Sequence, residues 1–221
     1  MSSSDFTIGE PYPSLPAADV LDQFILRRAY DTGYGDNQHV AEGFIEQKGA
    51  PGERATCMIA SRLNGLIGLG AIATSDAEAA HNDLATSDAF RWTYLPSKDL
   101  YFPMMNIKTL AGNFNQEGLL PVSVEFSPIY RSAEIPRHQL VSLVGRAGNA
   151  HVGVILSRSD IGHDIAAIPT PNAGELLVVD SRRPDTPLVK DPEQIVDYLN
   201  GDDCSDIQLM HEGQRSLDII V

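Results

Sequence analysis

The residue of this chain best placed to do chemistry is Cys57. It follows Thr56, a good helix N-cap, and Ile59, Leu63 and Leu66 or Ile67 recur behind it at helical spacing. A thiol in the first turn of a helix sees the positive end of the dipole and unpaired backbone N–H groups. Both favour thiolate, the reactive form. The same N–H groups can stabilise an oxyanion at an attacked carbonyl. The competing reading is packing alone, because free cysteine is among the most buried residue types. The other cysteine, Cys204, is followed by too few residues to head a nucleophile-bearing helix.

A nucleophile needs a base, and the base needs an orienter. His39 and His81 lie in polar surroundings that read as exposed, and His211 lies near the C-terminus. His138 and His151 each open an apolar run, His138-Gln139-Leu140-Val141 and His151-Val152-Gly153-Val154-Ile155-Leu156. A histidine at the mouth of a strand can project into a cleft while the strand fixes its backbone. His151 is the preferred base and His138 the alternative. The run Glu175-Leu176-Leu177-Val178-Val179-Asp180 ends in a carboxylate that could orient the ring, or that simply caps a turn. The candidate catalytic set is therefore Cys57, His151 and Asp180. Gln47 is the nearest upstream amide that could donate to an oxyanion.

These side chains have to be positioned by the elements between them. Residues 1–16 carry Pro11, Pro13 and Pro16 and read as an extended arm. Helical spacing appears over Asp19 to Tyr30, from Thr56 onward, over Asp76 to Ala89 and over Met104 to Phe114, with a short helix expected over Val40 to Gln47. Beyond residue 115 the pattern changes to short β-type runs: Leu119–Phe126, Gln139–Gly145, His151–Leu156, Glu175–Asp180, Ile207–His211 and Leu217–Val221. Residues 146–150 read as a hairpin loop. Asp191 to Leu199 reads as a helix capped by Asp191 with Pro192 at its first position. The expectation is an α+β domain over residues 17–221, with N-terminal helices (17–115) packed on a C-terminal, mostly antiparallel sheet (116–221).

A cysteine at a helix start, then a histidine opening a strand, then an aspartate closing a later one, resembles the chain order of papain-like cysteine hydrolases. The stretch Val178-Val179-Asp180-Ser181-Arg182 looks like that of bacterial effector-type members. The resemblance spans about residues 50–185. It implies a papain-like fold and a thiol protease, amidase or glutamine deamidase acting on a protein or peptide-like substrate. It also implies synthesis in a cytoplasm, with delivery into a host or target cell compatible with the Ser-rich start. Peptidoglycan-cleaving NlpC/P60-like enzymes carry a similar His-Val-Gly-Val strand, which would make the set Cys57, His151 and His163.

Composition trims the other possibilities. Of 221 residues, 30 are Asp or Glu and 16 Lys or Arg, a net charge of −14. That disfavours nucleic acid and anionic membrane surfaces, which reward clustered positive charge. It suits a non-enzymatic reading, an acidic partner-binding or immunity protein, as well as it suits an enzyme. The longest apolar stretch, Leu63 to Ala73, is interrupted by glycines and too short to span a bilayer. No cofactor or metal is expected: no paired-histidine or paired-cysteine spacing occurs, and Gly65-Leu66-Ile67-Gly68-Leu69-Gly70 reads as a helix end rather than a phosphate loop. A serine hydrolase is disfavoured by the lack of a Gly-x-Ser-x-Gly elbow.

Overall fold

Val154, Ile155 and Leu156 are consecutive in one strand and all fully buried. Successive strand side chains point to opposite faces, so the sheet that contains them must be covered on both sides. The computed structural model, which describes residues 15–30, 43–103, 107–158, 162–199 and 205–213, shows how. The elements are α1 (Ala17–Tyr30), α2 (Cys57–Gly68), α3 (Thr74–Thr86), a hairpin of β1 (Trp92–Leu95) and β2 (Leu100–Pro103), and α4 (Ile107–Phe114). There follow β3 (Ser123–Phe126), β4 (Tyr130–Arg131), α5 (Arg137–Asn149), β5 (Gly153–Arg158), β6 (His163–Pro169), β7 (Leu176–Val179), β8 (Leu188–Lys190), α6 (Pro192–Leu199) and β9 (Asp206–Gly213).

The chain is α+β, and its strand pairings are antiparallel. The main sheet runs β3-β9-β5-β6-β7-β8, with β4 also paired to β9. One face packs on α2, α3 and α4 through Ile155, Ala166, Ile168, Val179 and Met210. The other packs on α1, α5 and α6 through Val154, Leu156, Ile165, Ala167, Ile207 and Leu209.

Helices and strands are more mixed along the chain than the division at residue 115 supposes. The β1–β2 hairpin falls in the N-terminal part, and α5 spans the stretch whose local pattern reads as a β-type run and a hairpin loop. Leu140, Leu143, Val144 and Ala147 recur at i, i+3, i+4 and i+7 and are all buried, so the 3.6-residue period prevails over the local apolar run. Residues 43–47 are not helical; residues 1–14, 40–42 and 217–221 lie outside the described residues. α6 begins where expected, with Gln194 N–H donating to the Asp191 side chain at 2.8 Å.

Every residue of α2 from Cys57 to Ile67 is buried. The helix lies tight on the sheet: a Cβ on Gly68 would come within 2.3 Å of Ile168. α2 closes with Gly70 in the left-handed region (φ 70°) and Ala71 N–H donating to Leu66 O at 3.0 Å. The glycine cluster is thus a helix end.

Candidate functional site

Cys57 sits at the first position of α2, 6% exposed. Thr56 occupies the N-cap position without capping. Its hydroxyl oxygen instead accepts from Lys48 N–H at 2.7 Å and meets His81 Nε2 at 2.8 Å. His81 is therefore buried rather than exposed, and burial lowers it to a pKa of about 4. The segment leading into α2 is laced on both sides. Asn64 pairs with both backbone groups of Ile45 (2.8 and 3.0 Å), and Ala55 N–H donates to Tyr101 O of β2 at 2.7 Å.

The structure does not bring His151 to Cys57. His151 lies just before β5 with φ 57°, and its Nε2 meets Leu69 O at 2.8 Å. Leu69 is at the far end of α2, about 18 Å from Cys57 at 1.5 Å per residue. His138 is no closer to the role: it is exposed in the first turn of α5, not at a strand mouth. The NlpC/P60-like set is separated too, because His151 and His163 stand at opposite ends of the β5–β6 hairpin, whose register pairs His163 with Arg158. His39 and Cys204 lie outside the described residues.

The histidine that does share a cleft with Cys57 is His163, the first residue of β6. Together with Met58, Phe102, Pro103, Ile129 and Asp164 the two line a cavity of about 200 Å³. His163 is 2% exposed, and its Nε2 donates to Asp180 Oδ1 at 2.7 Å. Asp180 follows β7, the strand paired to β6, and so its carboxylate meets the His163 ring. Its Oδ1 also accepts Arg182 N–H at 2.8 Å. Gln47 braces this turn: its N–H donates to Ser181 O at 2.9 Å, and its Oε1 accepts from Ser181 Oγ at 3.0 Å.

With Nε2–H committed to a carboxylate, the neutral ring leaves Nδ1 as a bare acceptor. His163 Nδ1 is fully buried and has no hydrogen-bond partner among the described residues. The thiol instead meets the carbonyl of the preceding residue, Gly162, with Sγ 3.8 Å from its oxygen.

The electrostatics depart from the expectation of a resting thiolate. Burial first, and then the Asp164 carboxylate, push the Cys57 thiol up to about 11, against the smaller opposing pull of backbone N–H groups at Asp164 and Met58 and of Arg182. His163 is lowered by burial, partly offset by Asp180. At neutral pH the pair rests as thiol and neutral imidazole. Desolvation outweighs the helix dipole here because Cys57 is enclosed rather than at an open helix end.

Behind the thiol lies a polar network that sequence reading missed: Arg62, Asp164 and Gln208, joined by hydrogen bonds of 2.8 to 3.2 Å. Arg62 sits amid the apolar pattern of α2, where only a buried partner can satisfy it. No group of three or more His, Cys, Asp or Glu side chains that could hold a metal occurs among the described residues, and no described helix is long and apolar enough to cross a membrane. A scan against protein-family models, a search of curated proteins and a search of solved structures each return no match.

Proposed function

We propose that this chain is a papain-like cysteine hydrolase that cleaves an amide or thioester in a protein or peptide-like substrate through Cys57, His163 and Asp180. The observation that carries the reading is the unpartnered Nδ1 of His163, buried in the cleft it shares with Cys57 while Asp180 holds Nε2. An imidazole so held keeps one tautomer and presents a lone pair as general base.

In the proposed reaction the thiol exchanges the Gly162 carbonyl for His163 Nδ1. Sulfur attacks the acyl carbon as its proton passes to Nδ1. The imidazolium, steadied by Asp180, then returns that proton to the leaving nitrogen or sulfur. Water, activated by the same nitrogen, hydrolyses the thioester that remains on Cys57. The developing oxyanion would be held by backbone N–H groups of the first turn of α2, which have no partner within the helix.

p-Nitrophenyl acetate tests the reading without knowledge of the natural substrate. We expect a nitrophenolate burst of about one equivalent per chain and an acetyl group on Cys57 in peptide mass spectra. His163→Ala should slow acylation about 10²- to 10⁴-fold, while His151→Ala should not. Cys57 acylated no faster than glutathione, with His163→Ala indistinguishable from wild type, would return the chain to the non-enzymatic, partner-binding reading.

A further inference from the structure

Cys57 and His163 belong to different elements, and a buried ion pair joins those elements. Arg62, five residues beyond Cys57 on α2, has a side chain 0% exposed. Its Nη1 donates to Asp164 Oδ2 and to Met58 O, each at 2.8 Å, and its Nε and Nη2 donate to Gln208 Oε1 at 3.2 and 2.8 Å. Gln208 Nε2 passes the chain of bonds to Ser127 O at 3.0 Å. Asp164 follows His163 on β6 and lines the cleft with Cys57. Apolar residues of similar volume often hold a helix to a sheet as well as a buried ion pair does. The position of this pair, against the thiol and the imidazole, therefore calls for a chemical reason.

We propose that Arg62 and Asp164 are positioning residues of acyl transfer: Arg62 locks α2 to β6 and fixes the Asp164 carboxylate where it stabilises the imidazolium that forms on His163. This rests on the hydrolase reading above. The argument is one of difference between states. At rest Cys57 holds its proton and the ring is neutral. On attack the S–C bond forms, the proton moves to Nδ1, and an electron pair of the carbonyl moves to its oxygen. Sulfur is then a neutral thioether and the ring a cation. A fixed carboxylate beside them favours that arrangement and disfavours a free thiolate.

The charged and titratable groups around the cleft are Cys57 and Arg62 of α2, Arg158 of β5, His163 and Asp164 of β6, Asp180 and Arg182 after β7, and Asp206 of β9. Asp164 is 8% exposed and held on Arg62, so its charge is neither mobile nor well screened. It raises both the thiol and the imidazole.

The test compares full-length wild type, Asp164→Asn, and the double variant Arg62→Gln/Asp164→Asn, whose neutral partners can still hydrogen-bond. Two rates at Cys57 are read by peptide-resolved mass spectrometry, alkylation by iodoacetamide and acylation by p-nitrophenyl acetate. The expected result has opposite signs. At pH 7.5 alkylation rises about tenfold as the thiol comes down, while acylation falls by a similar factor. Acylation unchanged, or both rates moving the same way in folded variants, overturns the proposal. So does failure of both variants to fold, which would make the pair a structural element only. A wild type that is never acylated removes the hydrolase reading and this proposal with it, whereas an acylated wild type with unchanged variants removes this proposal alone.

Discussion

The geometry around His163 makes the proposed activity titrate in a definite direction. The ring must be neutral to accept the thiol proton, and burial lowers it from 6.5. Acylation of Cys57 is therefore expected to be full at neutral pH and to fall as pH drops through a midpoint below 6.5, read from the pH dependence of the nitrophenolate burst. Asp180 opposes that lowering. Asp180→Asn should move the midpoint further down and cut the plateau about 10²-fold or more, because the imidazolium loses its carboxylate. At this scale the sequence was partly legible. Cys57 at a helix start and Asp180 at a strand end follow from local pattern, and both stand where pattern put them. His163 is hard to read as a base because Ser159-Asp160-Ile161-Gly162-His163 has the composition of a loop. The apolar run that marks its strand, Ile165 to Ile168, begins only two residues later. The apolar run after His151 signals that a strand follows, but not which end of α2 that strand reaches.

Among the elements, α2 is under the tightest constraint. Gly68→Ala would drive a Cβ into the Ile168 side chain at 2.3 Å, and overpacking of this kind costs about 1–3 kcal/mol. Gly65→Ala meets the Met210 sulfur at 2.8 Å, the far part of a side chain that can turn away. Urea denaturation should therefore rank Gly68→Ala as the more destabilised. The approach to α2 carries its own acid sensitivity. His81 is lowered to about 4 against 6.5 in the unfolded chain. The unfolded state thus takes up a proton first, and the stability present above pH 6.5 is lost as pH falls toward 4. That span is worth about 3 kcal/mol. His81→Gln should flatten the decline in the urea midpoint over this window relative to wild type. α2 and α6 could be read from period and caps. α5 carried the same period in Leu140, Leu143, Val144 and Ala147 but was obscured by an adjacent Leu140-Val141 pair. The β1–β2 hairpin left only four-residue strands, too short for alternation to show.

Taken as a whole, the molecule is an antiparallel sheet enclosed between two helical layers, with β5, β6 and β9 at its centre and β8 at an edge. Amide hydrogen exchange is expected to be slowest in those central strands and fast in β8. Val189→Lys, on an exposed edge residue, should change stability by no more than about 0.5 kcal/mol, whereas Ile155→Ala should cost about 2–5 kcal/mol in the same denaturation assay. The two covered faces could not be read as such, since an apolar run looks the same in a buried strand and a buried helix. One consequence follows from how β6 and β7 pair. The strands run antiparallel, with Pro169 opposite Leu176, so His163 and Asp180 meet at one end of the pair while the connection through residues 170–175 turns at the other. The proposed base and its orienter are thus a two-strand cassette hinged at its distal end. Lengthening that connection, by a tag inserted after Ala173 for instance, should leave the register and the histidine–aspartate bond intact. The chain can be extended, labelled or diversified there without reaching the cleft.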